Sequence, residues 1–246
     1  MVRLSVNVNK IATLRNSRGG SVTSVTQAVQ VCLDAGVRGI TIHPREDERH
    51  ITGADVEAIA EQLAPLRDTV EFNTEGDPRP ELMDRVVRIR PHQCTLVPVK
   101  PGEITSEAGW SPDTPIDEMK ATVKRLQDAG IRVSMFVEAR PEPMEWVASL
   151  GADRIELYTE PYARAFERGE GEQSFEQYAR AAERAHQLGL AINAGHDLDL
   201  DNLPLFVELP HLAEVSIGHA LISRAVFHGL ARVCGEYLQT VEGREG

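Results

Sequence analysis

Short apolar runs alternate with longer amphipathic segments along the whole chain. The runs are Leu4 to Val8, Gly39 to Ile42, Val70 to Phe72, Gln93 to Val97, Arg132 to Val137, Arg154 to Leu157, Leu190 to Ile192 and Glu214 to Ile217. They are brief and rich in aliphatic and β-branched residues, the pattern of strands buried on both faces of a parallel sheet. Between them apolar residues recur at helical spacing, as in Val22, Val25, Val29, Cys32 and Leu33, or Ile116, Met119, Val123, Leu126 and Ala129, or Ala179, Ala182, Ala185 and Leu188. Ala35-Gly36, Ala129-Gly130, Leu150-Gly151 and Leu188-Gly189 each stand between a helical pattern and the next apolar run. A glycine there is the usual left-handed stop of a helix.

Eight strand-plus-helix units in 246 residues average about 31 residues each. That predicts one α/β domain over 1–246, a (β/α)8 TIM barrel, whose usual size is about 250 residues. Pro161 to Gly171 exceeds a simple loop and is expected as a short extra helix or lid after strand six. A doubly wound open sheet is the competing fold, but no GxGxxG fingerprint follows the first run.

Composition narrows the function. The chain carries 26 basic and 38 acidic residues, a net charge of −12, and 5% aromatics. A duplex-binding protein is usually basic and a single-strand binder needs stacking aromatics, so no nucleic-acid partner is expected. No apolar run approaches the ~18–20 residues of a membrane span, and MVRLSVNVNK lacks the apolar core of a secretory signal. A cytoplasmic protein is the expectation. Cys32, Cys94 and Cys234 form no CxxC pair and sit in apolar segments, where buried thiols are expected. Only Lys10, Lys100, Lys120 and Lys124 are lysines; arginine, the better phosphate fork, makes up the other basic residues.

Barrel chemistry sits at the C-terminal ends of the strands. There the sequence places Asn7-Val8-Asn9-Lys10, His43-Pro44-Arg45, Asn73-Thr74-Glu75, Pro98-Val99-Lys100, Glu138, Glu156, Asn193-Ala194-Gly195-His196 and Gly218-His219. His43, Glu75 and His196 are the acid–base candidates, because histidine titrates near neutrality and a desolvated carboxylate beside it rises toward the same range. His92, His186, His211 and His228 are expected to be structural or surface residues. Gly218-His219 precedes a helix and predicts an anion site at its N-terminus, completed by Gly195-His196-Asp197. Thr13 to Gly20 is expected as an arginine-containing loop that forms a second anion pocket with Arg45, Arg49 and His50.

Asn7 to Gly19, Gly39 to Ile51, Pro91 to Pro98, Asn193 to His196 and Ser216 to Ala220 resemble the pyridoxine 5′-phosphate synthase family, in order and over essentially the whole chain. The resemblance implies a (β/α)8 barrel that condenses 3-amino-2-oxopropyl phosphate with 1-deoxy-D-xylulose 5-phosphate. The products are pyridoxine 5′-phosphate, inorganic phosphate and water. It implies acid–base roles for His43, Glu75 and His196, and transition-state stabilisation by Glu156. It implies contacts to the aminoketone phosphate from Asn7, Arg18, Asp197, Gly218 and His219, and to the deoxyxylulose phosphate from Asn9, Lys10, Arg45, His50 and Thr105. It also implies a homo-octamer. Asn9-Lys10 stands where many members have Asp-His, and Asp197 where many have Gly. No cofactor is expected, because condensation and elimination involve no net hydride transfer. Two other readings compete: a metal-dependent sugar-phosphate epimerase or isomerase with His43, Glu75, Glu156 and His196 as its metal shell, and a non-catalytic module that binds a phosphate ligand.

Overall fold

In most of the strand segments polar and apolar side chains alternate, and a strand sends successive side chains to opposite faces. Leu4, Val6, Ile40, Ile42, Phe72, Cys94, Val133, Met135, Ile155, Leu157, Ile192, Val215 and Ile217 are buried in one continuous apolar core. The residues between them, including Ser5, Thr41, Asn73, Gln93, Thr95, Ser134, Glu156, Asn193 and Glu214, are equally buried but polar. A sheet with two such faces is satisfied when it closes on its polar side and packs helices on its apolar side.

The computed structural model, which describes residues 2–20, 22–99, 106 and 108–243, does this. Eight parallel strands close in sequence order: β1 (Arg3–Asn7), β2 (Gly39–Ile42), β3 (Glu71–Gly76), β4 (Gln93–Leu96), β5 (Arg132–Val137), β6 (Arg154–Tyr158), β7 (Ala191–His196) and β8 (Leu212–Ile217). The barrel shuts where Leu4 pairs with Val215 and Ser5 with Ser216. The expected TIM barrel is therefore present. Its lumen departs from the usual layers of branched aliphatic side chains.

The outer layer contains α1 (Asn9–Asn16), α2 (Val25–Asp34), α3 (Gly53–Leu63), α4 (Pro80–Ile89), α5 (Ile116–Asp128), α6 (Pro141–Leu150), α7 (Glu160–Glu167), α8 (Gly171–Gln187), α9 (Leu203–Phe206), α10 (His219–His228) and α11 (Leu230–Val241). Ser24 caps α2 through the Gln27 amide, and Thr52 and Asp55 form a reciprocal capping box on α3. Gly36, Gly130, Gly151 and Gly189 all have positive φ at the anticipated turns. The extra segment after strand six is α7, which packs against α8. Cys32 of α2 and Cys234 of α11, far apart in sequence, lie buried with their sulfurs 3.8 Å apart as free thiols. Among the described residues no helix is long and apolar enough to cross a membrane.

One expectation needs correction. The stretch from Thr13 is not a loop: α1 runs through Asn16, and only the residues after it leave the helix. The first of its two arginines is also spoken for. Arg15 forms a two-pronged ion pair with Asp55 and donates to the His50 carbonyl, while Asn16 donates to the same carbonyl at 2.8 Å. Arg49 is bound to Asp47. The segment braces the loop that carries Arg45 and His50, and does not itself form an anion pocket.

Candidate active site

The C-terminal mouth of the barrel encloses a pocket of about 280 Å³. Twelve of the residues singled out in the sequence line it: Asn7, Asn9, Lys10, His43, Arg45, His50, Glu75, Glu156, His196, Asp197, Gly218 and His219. Arg18 does not; it is exposed beyond the end of α1. Thr105 and Lys100 lie outside the described residues. Sequence reasoning missed Val97, Ser106, Phe136 and Ser216. Ser216 was visible in the Ser216-Ile217-Gly218-His219 motif, while Phe136 passed as one more apolar strand residue. Glu138 turns away to Arg140, 2.8 Å from it.

At the bottom of the pocket the His43 Nδ1 stands 3.6 Å from Glu75 Oε2, and both side chains are nearly inaccessible. Burial lowers the His43 pKa well below its ordinary value, with the positive charges of Arg45, His50, Arg79 and His196 adding to the effect. Burial raises Glu75 well above the carboxylate range, reinforced by Glu156 and Glu214. Both shifts favour the uncharged forms, a carboxylic acid beside a neutral imidazole. The other imidazole nitrogen, Nε2, is buried without a hydrogen-bond partner among the described residues. The backbone N–H of His43 donates to Asn9 Oδ1 at 3.0 Å, and the Asn9 N–H donates to Asn7 Oδ1 at 3.0 Å. These two amides therefore fix the first rim turn and, through it, the histidine.

Glu156 projects inward from β6 and is pushed up to about 7 by burial, against the hydrogen bond from Thr95 and the nearby His196. Room for it comes from Gly195: a Cβ there would lie 2.6 Å from the Ser216 carbonyl oxygen and 3.1 Å from Glu156 Oε1. His196 follows with φ of 105°, a left-handed conformation costly for a residue with a side chain. It is held on both sides. Its Nδ1 lies 2.6 Å from Asp197 Oδ2, and its ring packs edge-on to Tyr158 at 5.4 Å. Bonding to His196 is also the main reason the Asp197 carboxyl stays below its usual range.

Two parts of the rim favour anions. Gly218 begins α10 with no side-chain cap, so the first N–H groups of that helix face the pocket beside His219 and Ser216. Beyond it, on the segments that follow the neighbouring strands β1 and β2, Lys10, Arg45 and His50 converge, and burial together with Arg45 and Lys10 holds His50 down at about 4. Among the described residues no three His, Cys, Asp or Glu side chains are placed to hold a metal ion, so the anticipated alternative of a metal shell on His43, Glu75, Glu156 and His196 has no geometric support.

A pocket with a buried acid–base pair, a second buried carboxyl and cationic side chains near a helix N-terminus fits an enzyme of phosphorylated substrates. Known proteins agree. The profile of the pyridoxal phosphate biosynthesis protein PdxJ matches residues 4–243. The chain belongs to the PdxJ family. Pyridoxine 5′-phosphate synthase from Leptospira biflexa is 48% identical over 253 residues, covering 98% of this chain and 97% of that protein. The protein of the same name from Bacteroides thetaiotaomicron is 49% identical over 238 residues, covering 96% and 98%. Among solved structures, phosphoribosylanthranilate isomerase from Thermotoga maritima in a monomeric form superposes with a TM-score of 0.59 at 13% identity, covering 99% of this chain and all of that one. At that identity the likeness is one of fold. Membership in the PdxJ family makes the alternatives of an epimerase and of a non-catalytic module unnecessary.

Proposed function

We propose that the rim pocket condenses 3-amino-2-oxopropyl phosphate with 1-deoxy-D-xylulose 5-phosphate to give pyridoxine 5′-phosphate, inorganic phosphate and water. The observation that carries this reading is one pocket that gathers the buried Glu75–His43 pair with the α10 N-terminus and the Lys10, Arg45 and His50 cluster. The N-terminus of α10, with Gly218 and His219, takes the aminoketone phosphate. Lys10, Arg45 and His50 take the phosphate of the sugar. The amine comes from a substrate, so imine formation needs no lysine; the protonated Glu75 supplies the proton that lets the carbinolamine oxygen leave as water. His43, neutral and with an unpartnered Nε2, accepts the proton removed from carbon in the following step. His196, oriented by Asp197, donates during elimination or ring closure. Glu156 stabilises positive charge that develops on the bound intermediate. No step in this scheme calls for a cofactor.

The test supplies both authentic substrates to the purified protein and looks for pyridoxine 5′-phosphate and phosphate in equal amounts. Absence of product overturns the reading. Arg45→Ala is expected to raise the KM for the deoxyxylulose phosphate about tenfold to a hundredfold, as loss of a charged hydrogen bond of roughly 1.5–3 kcal/mol would. The KM for the aminoketone phosphate should barely move. We also place the protein in the cytoplasm as a homo-octamer. The exposed apolar side chains Leu14 of α1 and Val226 and Phe227 of α10 support self-association, and light scattering measures it.

A further inference from the structure

Thr95 belongs to the Pro91 to Pro98 motif, to which the proposed reaction assigns no role. It lies in β4 facing the lumen and is fully buried. Its hydroxyl oxygen is 3.2 Å from Asn73 Oδ1 and 3.3 Å from Glu156 Oε2. A hydroxyl has one proton, so it serves one of these two acceptors at a time. Among the described residues, Thr95 is the one side chain that hydrogen-bonds Glu156.

We propose that Thr95 is a positioning residue for Glu156: its hydroxyl donates to the ionised carboxylate, and turns to Asn73 when the carboxyl is protonated. Glu156 is then hydrogen-bonded in both forms. This rests on the reading that Glu156 acts in the reaction. Thr95 keeps its own proton throughout; only the direction of its hydrogen bond changes.

The surrounding side chains fix the rest of the arrangement. Arg154 Nη1 donates to Asn193 Oδ1 at 3.0 Å, Asn193 Nδ2 to Gln93 Oε1 at 3.4 Å, and Gln93 Nε2 to Thr95 Oγ1 at 3.4 Å. A guanidinium can only donate, so this chain runs one way and always delivers a donor to Thr95. On the other side the Asn73 amide donates to Thr41 Oγ1 at 3.4 Å, which leaves its oxygen toward Thr95. With Glu156 ionised, the Thr95 oxygen receives from Gln93 and gives to Glu156. With Glu156 protonated, it receives from both Gln93 and Glu156 and gives to Asn73. Neither state strands a buried proton, which would cost free energy in this dry lumen.

The charged neighbours explain why a neutral switch is needed. Glu156 faces Glu75 from β3, Glu214 from β8, His196 from β7 and Arg154 two residues earlier on its own strand. Glu75 and Glu214 oppose its ionisation, and His196 favours it.

The experiment follows the Glu156 carboxyl by infrared difference spectroscopy across pH in the full-length protein, with the band assigned by its loss in Glu156→Gln. Thr95→Val is expected to move the titration upward by about one pH unit, and Thr95→Ser to restore it. Asn73→Ala, which removes the competing acceptor, is expected to move it downward. The corresponding limb of kcat should shift in the same sense, with both KM values unchanged. An unshifted band in folded Thr95→Val overturns the proposal, as does an upward or absent shift in Asn73→Ala; the latter decides if the valine variant does not fold. Full activity of Glu156→Gln would instead overturn the role of Glu156 while leaving the spectroscopic test of Thr95 standing.

Discussion

Glu75→Gln is expected to lower kcat about a thousandfold while leaving both KM values within about threefold of the native protein. The amide has the shape of the carboxylic acid and keeps the pocket intact, but it has no proton to give. General acid–base groups are worth roughly 10²–10⁴ in rate. The residues proposed to hold the phosphates, Lys10, Arg45, Gly218 and His219, are untouched, so binding should survive. The pH profile carries the sharper signature. In the proposed scheme Glu75 is the acid, and its folded-state value lies well above the ordinary carboxylate range because it is buried, with Glu156 and Glu214 adding to the effect. Native activity should therefore fall at alkaline pH as that proton is lost. In the same scheme His43 is the base, and burial among positive charges holds it well below its ordinary value. The acid limb due to His43 should lie correspondingly low. In Glu75→Gln the alkaline limb due to Glu75 should vanish. Retention of more than a tenth of native kcat would remove Glu75 from the chemistry.

The second large effect is on stability. Glu214→Gln should stabilise the protein above pH 7 and leave it unchanged below about pH 4. Glu214 is fully buried, one of its oxygens has no hydrogen-bond partner among the described residues, and burial raises it to about 7 despite Arg154 and Arg3 nearby. Its carboxyl binds a proton more tightly folded than unfolded. Stability from this group is thus present at low pH and is lost as pH rises from the unfolded value toward 7. The difference corresponds to about 3 kcal/mol above pH 7. For a chain of this size that is roughly 6–12 °C in Tm. Thermal melts of the native and Gln proteins at pH 4 and pH 8 measure it, and equal Tm differences at the two pH values would show that Glu214 carries no such penalty. The same substitution removes one of the charges that push Glu75 upward, so it should also move the alkaline limb of activity to lower pH.

The gathering of His43, Glu75 and His196 in one pocket was legible because all three stand at strand ends in the sequence. The lumen was legible too, but was read differently. Ile40-Thr41-Ile42-His43 and Gln93-Cys94-Thr95-Leu96 alternate with period two, yet the expectation of strands buried on both faces hid the polar half. Burial and polarity are compatible when every polar group finds a partner across the barrel, and no single strand reveals that partner. The brace formed by Arg15 was not visible for the same reason: Asp55 is forty residues away. Helix α1 escaped notice because Ala12 is its one buried residue, so it has no apolar face to announce it. The approach of Cys32 to Cys234 likewise depends on α11 returning to α2, a fact of closure and not of local pattern.

The polar lumen has a thermodynamic consequence. Apolar surface raises the heat capacity of the unfolded chain by about 0.45 cal/mol/K per Å², whereas polar surface lowers it by about 0.26. Opening this barrel exposes Asn73, Gln93, Thr95, Asn193 and their neighbours along with the apolar layer outside them, so the two contributions partly cancel. A barrel of equal length filled with valine and isoleucine would show the larger heat-capacity increment and a more sharply curved dependence of stability on temperature. The side chains that tune the carboxylates therefore also flatten the stability curve.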